Sequence, residues 1–197
     1  MQYLKEDVKE KILQSGLKEF KEKGYLDASV RNIAQNAGVS VGSVYKYFQN
    51  KECLFNTIVE PVYDKLMNYV LNLGKVDTSY QDPIWELTNI KNKIIDIFKD
   101  NSTELLILMD KSKGTKYHDI KEDLILHVHG ILKDQLVQQL KSKGIILKYK
   151  DITYILAATL VDGVCMILRN NDDGMKISYL IQQLINIYFD DIEKRIL

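Results

Sequence analysis

The chain contains little that would stiffen it, cross-link it or anchor it. Of its 197 residues only Pro61 and Pro83 are proline and only Cys53 and Cys165 are cysteine. The two cysteines lie far apart and match no metal or redox spacing, so they read as reduced thiols and no disulfide is expected. No apolar run approaches the ~20 residues that cross a bilayer, and the opening MQYLKEDVKEK is too charged for a secretory signal, so a cytoplasmic protein without membrane association is expected. Catalytic patterns are missing too: there is no Gly-x-Ser-x-Gly, no phosphate loop and no paired-carboxylate helix motif, which argues against an enzyme. His127-Val-His129 is no metal pair, because residues two apart on a helix point about 200° apart around its axis. No metal and no cofactor are expected.

Net charge is likewise absent, with 27 basic against 27 acidic side chains, but their distribution is uneven. From Met1 to Lys51 nine basic residues face six acidic ones, a net of +3. Within that stretch, Ala28 to Lys51 holds no Asp or Glu at all. A surface that approaches phosphates requires such a gap.

What is present is helical. Leu, Ile, Lys, Glu and Gln recur at helical spacing, and the pattern predicts an all-α chain of about nine helices without strands. Val8, Ile12, Leu13, Leu17 and Phe20 make Leu4 to Lys23 one amphipathic helix, which Gly24 ends. A second helix covers Ser29 to Ala37, and Gly38 supplies a positive φ for the turn after it. A third runs from Ser40, its N-cap, to about Gln49, and Asn50 caps a fourth over Lys51 to Leu73, in which Pro61 predicts a kink or break. Gly74 to Asp82 is a polar connection. Further helices are expected at Pro83 to Lys99, Ser102 to Lys113, Lys116 to Lys143, Asp151 to Asn170 and Asp173 to Ile196.

Residues 29 to 48 have the parts of a helix-turn-helix. Ala34 permits close helix approach, Gly38 makes the turn, Ile33, Ala37 and Val39 face inward, and Val44 with Phe48 seat the second helix on the first. A plain αα-hairpin would give no reason for the outer face of that second helix to carry Ser43, Tyr45, Lys46 and Tyr47 with no acid among them. These are residue types that contact nucleic acid.

The segment from Ser29 to Phe55, with its Ile-Ala-x-x-Ala-Gly-Val-Ser core, its Tyr-x-Tyr-Phe and its Asn-Lys-Glu-x-Leu-Phe, resembles the DNA-binding signature of the tetracycline-repressor (TetR) family. The upstream Lys23-Gly24-Tyr25 fits as well. Ala28 departs from the family's usual threonine, leaving Asp27 or Ser29 to cap the second helix, and Tyr47 stands where histidine is frequent. The resemblance implies a DNA-binding domain over residues 1–50 and a helical ligand-binding and dimerisation domain over 51–197. It also implies that the helix Ser40 to Phe48 enters the major groove of double-stranded operator DNA. Val41, Gly42 and Ser43 would then lie toward base edges, Tyr45 and Tyr47 toward phosphate and sugar, and Lys46 and Lys51 on phosphate, with Arg31 within reach of backbone or base and the cap residues Ser29 and Ser40 also at the DNA.

One short helix cannot give strong selectivity when each base pair is worth only ~1 to 3 kcal/mol, so a homodimer reading a palindrome is expected. The helix Asp151 to Asn170 is apolar nearly all round, and the last helix carries more apolar surface than docking on its own chain needs. In the family these two helices pair with their counterparts as a four-helix bundle, and the competing arrangement is a monomer with both in its own core. The middle helices are expected to hold a small apolar or amphipathic effector among Trp85, Phe98, Leu105, Met109, Tyr117, His127, Tyr154 and Met166. The implied function is a ligand-responsive transcriptional repressor. A DNA-binding protein controlled by a protein partner, or with no small-molecule ligand, is the alternative.

Overall fold

The computed structural model describes residues 2–73, 83–142, 144, 146, 149 and 151–189, and at 2–5, 73, 83–91, 135–140, 142 and 189 the backbone alone. Among the described residues there are nine helices and no strand: α1 (Gln2–Asp27), α2 (Val30–Asn36), α3 (Val41–Tyr47), α4 (Lys51–Leu73), α5 (Pro83–Asp100), α6 (Ser102–Asp110), α7 (Ile120–Ser142), α8 (Ile152–Asn170) and α9 (Gly174–Phe189). The connection 74–82 and the end of the predicted last helix beyond Phe189 lie outside the described residues. Close contacts divide the chain into two compact units.

The first unit comprises Met1–Asp64 and Thr103–His118. Its core follows from the apolar spacing of α1, which buries Ile12 and Phe20 completely. Gly16 lets α4 come close, since a Cβ there would sit 3.1 Å from Ile58 Cδ1. Phe20, Tyr25 and Phe55 pack ring against ring, with centroids 5.0 Å apart for Phe20 and Phe55 and 5.1 Å for Tyr25 and Phe55. Tyr117 extends the cluster to Tyr63 at 5.0 Å. Edge-to-face and tilted pairs of this kind add to what apolar burial already contributes.

Gly24 takes φ 74° and ψ 170° and interrupts α1 where the sequence predicts its end. Helix α6 buries five consecutive residues, Leu105 to Met109, as a helix apolar on all sides must. It stops at Asp110, short of the expected Lys113, because the chain folds back there: the Ser112 hydroxyl donates to Leu108 O at 2.7 Å and lies 3.0 Å from Tyr117 O. The next helix accordingly begins at Ile120 rather than Lys116. Pro61 does not break α4, for the helix runs through it. Pro61 is on the exposed side, so the carbonyl it leaves without a donor faces water.

The second unit comprises Lys65–Ser102 and Asp119–Leu197. There α7 packs on α8, α8 on α9 and α9 on α5. Gly163 brings α8 close to Leu184 of α9, and at Gly174 a Cβ would collide with the carbonyl oxygen of Lys99 at the end of α5. Contrary to the expectation that no run is long enough to span a bilayer, α8 passes that test by length and composition. Its packing accounts for part of the composition: Ala157, Leu160, Val161, Val164 and Leu168 are buried in a helix that contacts α7 and α9, while Ile155 and Met166 are exposed. Asp162 on the same helix pairs with Lys121, whose pKa is raised first by that hydrogen bond.

Candidate nucleic-acid interface

Capping places both helices of the motif. Ser29 adopts extended backbone before α2 and its hydroxyl accepts from Asn32 N at 3.4 Å, so it is the cap that Ala28 cannot be. Behind it the buried Glu19 of α1 accepts from Ser29 N at 3.0 Å and from the Asn32 amide at 3.2 Å, tying the start of α2 to α1. Ile33, Ala34 and Ala37 are buried, and Gly38 at φ 70° turns the chain so that Val39 N donates to Ala34 O at 2.9 Å. Ser40 then caps α3, accepting from Ser43 N at 3.1 Å, with the two hydroxyls sharing a hydrogen at 2.9 Å.

Val44 and Phe48 are 1% and 2% exposed, which fixes the opposite face of α3 outward. That face carries Tyr45, 48% exposed, with Gly42 and Lys46 also exposed and Val41, Ser43 and Tyr47 half-buried beside them. Arg31 is exposed on α2. Neither Arg31 nor Lys46 has a side-chain partner among the described residues.

Lys51 differs. It opens α4 after the Asn50 cap, whose Oδ1 accepts from Cys53 N at 2.7 Å. Its ammonium donates to Leu26 O at 3.0 Å and to Ala28 O at 3.1 Å, and sits 4.8 Å from the centre of the Tyr25 ring. Burial and then the Glu52 charge raise the Tyr25 phenol above its ordinary range. Tyr25 is gripped from another side as well, its N–H donating to Lys111 O at 2.9 Å. Glu19 and Lys111 escaped the sequence reading, and Tyr25 entered it only through the Lys23-Gly24-Tyr25 likeness, without its partners. Their partners are ten or more residues away, and no local pattern marks them.

The residues expected to hold an effector are dispersed. Leu105, Met109 and Tyr117 are buried in the first unit, the Tyr117 hydroxyl donating to Glu60 Oε1 at 3.3 Å. In the second unit Phe98 is buried, His127 is half-buried with Nδ1 2.6 Å from Asp123 O, and Tyr154 and Met166 are 39% and 62% exposed. Trp85 falls in α5, and its side chain lies outside the described residues. His129 meets the Thr153 hydroxyl at 3.1 Å, so the two histidines serve different partners. Among the described residues no cluster of three or more His, Cys, Asp or Glu side chains is placed to hold a metal ion.

Residues 12–58 match the family model described as bacterial regulatory proteins, tetR family. The uncharacterized HTH-type transcriptional regulator YuxN of Bacillus subtilis is 41% identical over 62 residues, 32% of this chain and 21% of that protein. The chain spans 21 to 40% of the length of the first three curated relatives it matches. Two solved structures extend the likeness of fold over most of the chain. NalD, the secondary repressor of the MexAB-OprM multidrug efflux pump in Pseudomonas aeruginosa, is 21% identical, with 92% of this chain and 95% of that one covered at a TM-score of 0.53. SmeT, the repressor of the multidrug efflux pump SmeDEF of Stenotrophomonas maltophilia, is 18% identical in its triclosan complex, with 91% and 90% covered at 0.51. A capped helix-turn-helix with an acid-free outer face and a family model matched over the same residues lead to one assignment: residues 12–58 are a domain of the tetR family of bacterial regulatory proteins, in a chain that shares the all-α fold of these solved structures.

Proposed function

We propose that this protein is a cytoplasmic transcriptional repressor, not an enzyme, that binds a palindromic operator as a homodimer and is released by a small apolar or amphipathic molecule. The observation that carries the proposal is the outer face of α3, where Tyr45 and Lys46 stand exposed with no acidic residue between Ala28 and Lys51. Such a face is repelled by nothing on a duplex and has both a phosphate partner and hydroxyl donors to offer. Residues 1–50 supply the reading head, with Val41, Gly42 and Ser43 toward base edges, Tyr45, Lys46, Tyr47 and the adjoining Lys51 toward the backbone, and Ser29, Arg31 and Ser40 flanking them. Residues 51–197 supply dimerisation and sensing.

Dimerisation is supported by apolar side chains that a lone chain leaves in water. Ile155 and Met166 on α8 and Met175, Tyr179 and Ile187 on α9 are between 52 and 64% exposed. Soluble monomers seldom carry so many on adjacent helices, whereas a subunit interface requires them. The effector class is supported by SmeT, whose solved complex holds triclosan. An effector acts by binding the conformation that fits DNA poorly more tightly than the one that fits well.

The test is selection from a random-sequence duplex pool by the purified protein, followed by sequencing. Enrichment of an inverted repeat with half-sites about one helical turn apart is expected. Recovery of no repeat, or binding that ignores salt, sinks the proposal.

A further inference from the structure

Among the described residues, seven of nine glycines have a reason inside the chain, since they take positive φ or leave no room for a Cβ. Gly42 and Gly130 have neither. At Gly42 a Cβ would meet only Ser40 Oγ, at 3.8 Å, which is ordinary van der Waals contact. The residue lies within α3, so an alanine would fit there without strain and would hold the helix better than glycine does. The handicap falls on a helix with little in reserve. Its seven residues otherwise comprise two valines, two tyrosines, a serine and a lysine, mostly indifferent helix formers, and a helix so short does not stand alone.

The two glycines differ in where they face. Gly130 is half-buried on α7, in the second unit. Gly42 is exposed, beside Tyr45 and Lys46 on the side of α3 turned away from buried Val44 and Phe48. A glycine that weakens its own helix and relieves no crowding within the chain suits a surface against which something else must lie. The surrounding charge selects the occupant: with no acid from Ala28 to Lys51, this face complements a polyanion.

We infer that Gly42 is the point of closest approach between α3 and operator DNA, where bare helix backbone lies against base edges and the absence of a side chain sets how deeply α3 seats in the groove. The inference rests on the DNA-binding reading above and adds a steric condition to it. A methyl at this point would hold α3 off the base edges. Base readout needs hydrogen-bond and van der Waals distances, whereas attraction to phosphates persists over a Debye length of roughly 8 to 10 Å. Sequence-specific binding should therefore suffer and non-specific binding should not.

The test compares full-length Gly42→Ala, Gly42→Leu and Gly130→Ala with wild type by melting temperature and by fluorescence anisotropy, on the selected duplex and on a scrambled one of equal length. Gly42→Ala is expected to melt at or above wild type, by up to about 4 °C, as a helical glycine replaced without strain should. It should nevertheless bind the selected duplex at least about tenfold more weakly, the effect of spoiling the contact to one base pair, and the scrambled duplex within about twofold of wild type. Gly42→Leu should bind the selected duplex more weakly still. Gly130→Ala, the control, should leave both affinities unchanged.

A Gly42→Ala protein that binds the selected duplex as tightly as wild type overturns the inference. So does one that loses stability, because the glycine would then serve the fold. Equal losses on both duplexes overturn it as well, by setting the methyl against phosphate and not base edges. A wild type that selects no duplex defeats the DNA-binding reading and this inference together, whereas a selected duplex that tolerates Gly42→Ala defeats the inference alone.

Discussion

Tyr45 and Lys46 are neighbours on the exposed side of α3, yet truncating them is expected to have different signatures. Tyr45→Ala should weaken duplex binding about tenfold with little change in its salt dependence, because a neutral hydroxyl displaces no counterion. Lys46→Ala should reduce the slope of log affinity against log salt by about one. Fluorescence anisotropy across a salt series separates the two, and identical slopes for both variants would refute the assignment. A second residue-level expectation concerns Glu60, whose carboxyl is held below its ordinary value of 4.5, first by the Lys116 hydrogen bond and then by that lysine's charge. A lowered carboxylate pKa contributes stability above the unfolded value and loses it as pH falls through the folded one. Wild type and Glu60→Gln should therefore differ in thermal stability at neutral pH and converge below about pH 4, which a pH series of melting curves will show. At this scale the caps were legible, since Ser40 and Asn50 act within three residues of themselves. The partners of Lys51 were not, because they lie 23 and 25 residues back along the chain.

Among the elements, the start of α4 was legible in the sequence because Asn50 bounds it locally. That Pro61 leaves α4 unbroken was not legible, since which side of the helix faces water is decided by the partners of α4 and not by its own sequence. The ends of α6 and α7 shifted for a similar reason, through the Ser112 hydroxyl bonds that reverse the chain. The start of α9 depends on a missing side chain, and Gly174→Ala is expected to destabilise the protein by about 2 kcal/mol as the new methyl pushes α9 off the Lys99 carbonyl. Chemical denaturation would read this directly, and a neutral outcome would mean that α5 and α9 can separate freely.

For the whole molecule, the all-α class was legible because helical periodicity persists wherever the chain is not turning. The division into units was only partly so. Leu105 to Met109 looks like any core helix, and nothing in its pattern announces that it completes the unit carrying α3. The apolar face of α8 and α9 stood out for its excess of Ile, Leu and Met. Tyr179→Glu, which places a charge in the middle of that face, should yield a monomer at concentrations where wild type sediments as a dimer. An unchanged sedimentation coefficient would remove the face from the interface.

The first unit is assembled from two stretches separated by 38 residues of the other, 65–102. During synthesis its core is therefore complete only once His118 has cleared the ribosome, however early α1 to α3 emerge. Arrested nascent chains that expose only residues up to 64 are expected to remain protease-sensitive around Phe20 and Phe55, and those that expose residue 118 to become resistant. By the same logic, the reading head cannot be lifted out as an N-terminal fragment without losing the segment that seals it.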